Sequence, residues 1–89
     1  MIRDVIKKDG TKQLFQPDKI RRAILASADQ AGVTRKRAEI VAKQVMASVI
    51  EMVSTKKEIT SAEIREKALM ELDIIQPSIA EVWRQYTKE

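Results

Sequence analysis

Cysteine and histidine are both absent from this chain of 89 residues. That excludes disulfides, Cys/His zinc sites, thiol nucleophiles and histidine general bases. The lack of cysteine fits a cytoplasmic protein. Aromatic residues are scarce: Phe15, Trp83 and Tyr86 are the one phenylalanine, one tryptophan and one tyrosine. Each falls on a predicted core face, which is poor equipment for stacking single-stranded bases. The two glycines, Gly10 and Gly32, are too few for a glycine-rich phosphate loop. No apolar run approaches the ~20 residues of a membrane span, and Met1-Ile2-Arg3-Asp4 has no apolar signal segment. No membrane partner is expected. Glu66 and Asp73 lie on one predicted helix, where a charged surface face explains them better than a catalytic pair. We expect no enzyme, no catalytic residue and no metal site.

What is present is charge of both signs, 17 basic against 13 acidic residues for a net +4. Such a balance permits a nucleotide or nucleic-acid partner without demanding one. The length fits one domain over residues 1–89 with a modest core. There is no internal repeat, low-complexity tract or flexible linker. The chain stops almost as soon as its last helix does, which suits either a free-standing small protein or a piece of a larger one.

Residues 3–8 and 12–15 read as two strands, with Val5 and Ile6 β-branched in the first and Leu14 and Phe15 apolar in the second. Asp9-Gly10 between them predicts a type I′ hairpin turn. Pro17 suits the first position of a helix over roughly 17–31, with Asp18 in its first turn and Gly32 beyond its end. Thr34 can cap the next and longest helix. Its stripe is Ala38, Val41, Ala42, Val45, Val49, Met52 and Val53, with Met46 and Ile50 off the stripe and available to a partner helix. Ile59 reads as a short third strand. Thr60 to Glu63 fits a capping box opening a third helix with Ile64, Ala68 and Leu72 on one face. Gln76-Pro77 breaks it, and a fourth helix buries Ile79, Val82, Trp83 and Tyr86. The fold class is α+β, mainly α: a four-helix bundle capped by a small β-hairpin or three-stranded sheet.

Lys7 and Lys8 are adjacent on a strand and should point to opposite faces. Lys19 lies in a helix's first turn, where free N–H groups and the dipole favour an anion. A strand lysine and a helix-start lysine could together hold phosphates by charge-assisted contacts. Arg21 and Arg22, and Arg35, Lys36 and Arg37, form two further basic clusters near helix N-termini, the wrong end for the dipole. A solvated surface explains them simply. The sharper reading is a contact to nucleic-acid phosphates or an acidic partner.

The order of these features resembles the ATP-cone, a regulatory nucleotide-binding domain. The family pattern opens with a hydrophobic strand and Lys-Arg-Asp-Gly, then a bulky apolar residue, then Lys-Ile with small residues. Here that is Val5-Ile6-Lys7-Lys8-Asp9-Gly10, Phe15, and Asp18-Lys19-Ile20-Arg21-Arg22-Ala23-Ile24. A strand-to-helix step follows at Ile59-Thr60-Ser61-Ala62-Glu63-Ile64. The closing Ala-x-x-Tyr-x-x-Tyr pattern is Ala80-Glu81-Val82-Trp83-Arg84-Gln85-Tyr86. The match spans nearly the whole chain in order.

The resemblance implies ATP or dATP bound beneath the cap as an allosteric ligand, with Mg2+ as a candidate companion. It implies a partner that is an associated enzyme, such as ribonucleotide reductase, or a second copy of the chain. ATP-cones occur at the N-terminus of reductase large subunits and in a repressor of reductase genes, where the nucleotide alters oligomeric state. By position, Lys7 and Lys8 match a Lys-Arg pair near the phosphates, and Lys19 a helix-start lysine that contacts them. Gln13 and Gln16 match positions near the nucleoside, and Ile20 one beside the base. Ser61 and Arg65 match side chains facing the nucleotide from the third helix.

Three positions depart from the pattern. Lys8 replaces arginine, so a bidentate fork becomes a point charge. Trp83 replaces tyrosine. Thr87 stands where an arginine often follows, with Lys88 able to substitute. Without cysteine, the chain carries neither the repressor's zinc ribbon nor the reductase's radical chemistry. Two alternatives stand beside the nucleotide sensor. One is a nucleic-acid-binding or transcription-regulatory module using the basic helix N-termini; the other is an interaction module that has lost its nucleotide.

Overall fold

Asp9 and Gly10 turn the chain between two short strands, β1 (Asp4–Ile6) and β2 (Lys12–Leu14), in the computed structural model, which describes residues 3–86. Thr87, Lys88 and the side chain of Tyr86 lie outside the described part. The strands pair antiparallel with Val5 opposite Gln13. The turn is not type I′. That type needs positive φ at both central residues, and among the described residues only Gly10 (87°) and Gly32 (77°) have positive φ. Instead the Gly10 N–H donates to the Lys7 carbonyl at 2.9 Å, and the Lys7 N–H to the Thr11 carbonyl at 2.7 Å. The loop is thus three residues long, with Gly10 in the left-handed position. Asp9 explains the extra residue: its carboxylate accepts the Thr11 N–H at 3.0 Å and hydroxyl at 2.6 Å.

Four helices follow: α1 (Pro17–Gln30), α2 (Arg35–Thr55), α3 (Ser61–Ile75) and α4 (Pro77–Tyr86). Local chemistry sets their ends. Pro17 occupies the start of α1. At its other end, the Gly32 N–H donates to the Asp29 carbonyl (3.2 Å) and the Val33 N–H to the Ala28 carbonyl (3.0 Å). This is a Schellman motif that needs glycine at its left-handed residue. The Thr34 hydroxyl accepts the Arg37 N–H at the head of α2, and Thr60 and Glu63 form a full capping box on α3. Pro77 opens α4 immediately after the Gln76 break.

The expected third strand shortens to one parallel bridge, Ile6 with Thr60, outside the two-stranded sheet. The Ile6 N–H donates to the Ile59 carbonyl at 2.9 Å. Pairing goes no further because Thr60 is already committed as the cap of α3.

Each helix packs on two others, α1 on α2, α2 on α3, α3 on α4 and α4 on α1, so the bundle closes on itself. Ile24, Val41, Val45, Val49, Val53, Ile59, Leu72 and Ile79 are fully buried within it. Met46 is buried too, correcting its reading as a partner-facing residue, whereas Ile50 remains exposed. A closed ring gives α2 a wider buried arc than a single stripe, and Met46 falls inside it. The hairpin covers one end through Val5 and Phe15, both part of the core.

Candidate functional site

Under the hairpin lies a cleft of about 510 Å³. Its residues come from the hairpin, α1, α3 and α4. Val5 and Lys7 come from β1 and its exit, and Gln13 to Gln16 from β2 and the step into α1. Lys19, Ile20 and Ala23 lie on α1, Ser61, Ile64 and Arg65 on α3, and Trp83 on α4. The starts of α1 and α3 therefore meet the hairpin at one end of the bundle. Phe15 and Trp83 are buried at the cleft's apolar base, while Leu14 is 58% exposed above it.

The charge distribution is one-sided. Lys7, Lys19 and Arg65 line the cleft, and among the described residues no aspartate or glutamate does. Two of the carboxylates adjacent in sequence to lining residues are engaged elsewhere. Asp18 pairs with Arg22 at 2.7 Å. Glu63 takes the Lys56 ammonium and the Thr60 hydroxyl and N–H. The Lys56 hydrogen bond, then that of Thr60, holds the Glu63 carboxyl below its usual range. The two helix starts also differ. The Thr60–Glu63 box satisfies that of α3, whereas Gln16 at the head of α1 makes no side-chain cap and lines the cleft instead. The α1 dipole adds to the positive character there.

Of the residues expected at a nucleotide site, the structure brings together Lys7, Gln13, Gln16, Lys19, Ile20, Ser61 and Arg65. Lys8 is exposed on the turn and does not line the cleft. Lys88 lies outside the described residues. Sequence reasoning read Val5, Leu14, Phe15, Ala23 and Ile64 as framework and gave them no place in the site, yet all line it. Apolar spacing marks such residues as buried and carries no signal that they border a cavity.

A polar rim of cations around an apolar base suits a ligand with an anionic end and a flat apolar end. With no carboxylate in the lining, the cleft offers a divalent cation no charged protein ligand; an accompanying ion would be held by the ligand's own phosphates. Among the described residues no group of three or more acidic side chains is placed to hold a metal. No helix among them is long and apolar enough to cross a membrane.

The other basic clusters are engaged differently. Arg21 and Arg35 both approach Glu39 at 3.6 Å. Arg37 donates to the Gln76 side chain (3.3 Å) and the Ile75 carbonyl (3.4 Å), tying α2 to the α3–α4 junction.

Compared with known families, residues 3–88 match the model described as the ATP cone domain. No curated protein and no solved structure matches the chain.

Proposed function

The chain belongs to the ATP-cone family, a nucleotide-binding regulatory class, and from that premise we propose that it binds ATP or dATP in the cleft beneath the hairpin. The observation that carries this reading is the cleft's lining: three cations from three separate elements, no carboxylate, and an apolar base. Lys7, Lys19 and Arg65 hold the phosphates by charge-assisted hydrogen bonds. Ser61 supplies a hydroxyl from the start of α3. Gln13 and Gln16 contact the nucleoside, and Ile20 packs beside the base. Lys8, on the turn, is an outer contact; Lys88 lies beyond the described residues. Mg2+ accompanies the nucleotide on its phosphates.

The nucleotide is sensed and not consumed. The lining offers neither carboxylate nor imidazole to activate a water. The output is a change in the oligomeric state or activity of an associated enzyme, with ribonucleotide reductase the family's leading candidate, or in self-association. A ligand shifts such an equilibrium only by its differential affinity for the two states. The nucleic-acid alternative has less support, because Arg21, Arg22 and Arg35 are ion-paired within the chain.

Calorimetry with ATP and with dATP at moderate salt tests the proposal. Saturable binding is expected, with the nucleotide recovered intact. Lys7→Ala and Lys19→Ala should each weaken it at least about tenfold, the scale of one lost charge-assisted hydrogen bond. Lys8→Ala should change it little. Absence of binding by either nucleotide would leave an interaction module without a ligand.

A further inference from the structure

Arg3 does not line the cleft, but it joins the hairpin that covers it to the end of α2. Its guanidinium donates through Nη1 to the Val53 carbonyl at 2.7 Å and through Nη2 to the Lys56 carbonyl. Val53 lies in the last turn of α2, where carbonyls lack intrahelical partners and the dipole favours a cation. The last turn of α2 has no basic residue of its own, so Arg3 supplies that charge from near the start of the chain. Arg3's own carbonyl accepts the Phe15 N–H at 2.6 Å. One residue therefore holds the strand that leads into the cleft and the loop that leads out of α2.

That loop continues to Ile59 and Thr60. The Ile59 carbonyl takes the Ile6 N–H, and Thr60 caps α3. Ser61 and Arg65 sit on the first turns of α3 and line the same cleft as Lys7. The Lys56–Glu63 pair closes the loop against α3 from its other side.

We infer that Arg3 is a positioning residue of the cleft: by gripping the Val53 and Lys56 carbonyls it fixes the spacing between the Lys7 wall and the Ser61/Arg65 wall. The inference rests on the nucleotide reading above. A planar fork suits the task because it bonds two carbonyls at once in fixed geometry.

The test is ATP affinity of the full chain, with Arg37→Met as the control. Arg37 makes a comparable tether, to a helix-end carbonyl beside Gln76, and it does not border the cleft. Arg3→Met should weaken ATP binding about tenfold, the worth of a charged hydrogen-bond pair, while Arg37→Met stays within about twofold. In an Arg65→Met background the Arg3→Met effect should shrink below about threefold, because the two act through the same wall. Amide exchange at Ile6 should quicken in Arg3→Met while Val45 and Val49 stay protected. If Arg3→Met does not fold, Arg3→Lys carries the test. It keeps the charge, loses the fork, and should bind about threefold more weakly. Unchanged affinity in the Arg3 variant, or equal loss in Arg37→Met, overturns the positioning role while leaving the nucleotide site standing. No ATP binding by the wild-type chain overturns the nucleotide reading itself, and this role with it.

Discussion

Lys7 and Lys8 are identical in chemistry, yet only Lys7 reaches the cleft. The chain folds back at Lys7, whose carbonyl accepts the Gly10 N–H, and Lys8 is carried outward on the turn. Strand alternation foresees that the pair must divide; it does not say which lysine goes inward. Glu63 shows the opposite economy. It sits beside a cationic cleft and contributes no charge to its lining, because Lys56 and Thr60 hold it. Its carboxyl lies below its ordinary 4.5, chiefly through the Lys56 hydrogen bond. A carboxylate whose pKa is lowered in the folded state stabilises the protein fully above its unfolded pKa. That contribution fades as pH falls through the folded value. The melting temperature should therefore drop as pH is lowered from about 4.5, and Glu63→Gln should flatten part of that drop while keeping the helix cap. An unchanged acid profile in Glu63→Gln would show that the pair contributes nothing to stability.

At the scale of elements, much was legible because it is local. Pro17, Gly32, the Thr34 cap, the Thr60–Glu63 box and the Gln76-Pro77 break each depend on residues within one turn, and each set a boundary that the structure reproduces. What was not legible depends on competition between neighbours. The Asp9 carboxylate reaches forward to Thr11 and lengthens the turn by one residue. Thr60 serves the helix instead of a strand. The buried arc of α2 includes Met46 because α2 packs against both α1 and α3. The capping box is also where element and site join, since it aims Ser61 and Arg65. Thr60→Ala should cost about 1 kcal/mol of stability in urea denaturation. It should weaken ATP binding as well, because α3 loses its anchored first turn. Thr60→Ser should restore both. A stability loss with unchanged affinity would separate the cap from the site.

The whole molecule brings together what sequence spacing keeps apart. Lys7 and Arg65 are remote along the chain, and no periodicity links them. Residue patterns alone left Ser61 and Arg65 without a role; only the family resemblance proposed them, and the Ile6 bridge to Ile59 and Thr60 supplies the physical reason. Closure of the helical ring places α1 and α3 diagonally, with the starts of both beneath the hairpin. The resulting cavity is lined by cations from both helices although α3 as a whole is acidic. Arg3 was invisible for the same reason: its partners Val53 and Lys56 lie at the far end of α2. The most direct test of a nucleotide site at this end of the bundle is to map backbone amide shifts by NMR as ATP is added. With the nucleotide bound in the cleft, the perturbed amides should cluster at Lys7, Gln16 to Ala23 and Ser61 to Arg65. Perturbations centred on Arg35, Lys36 and Arg37, or none at saturating ATP, would contradict that placement.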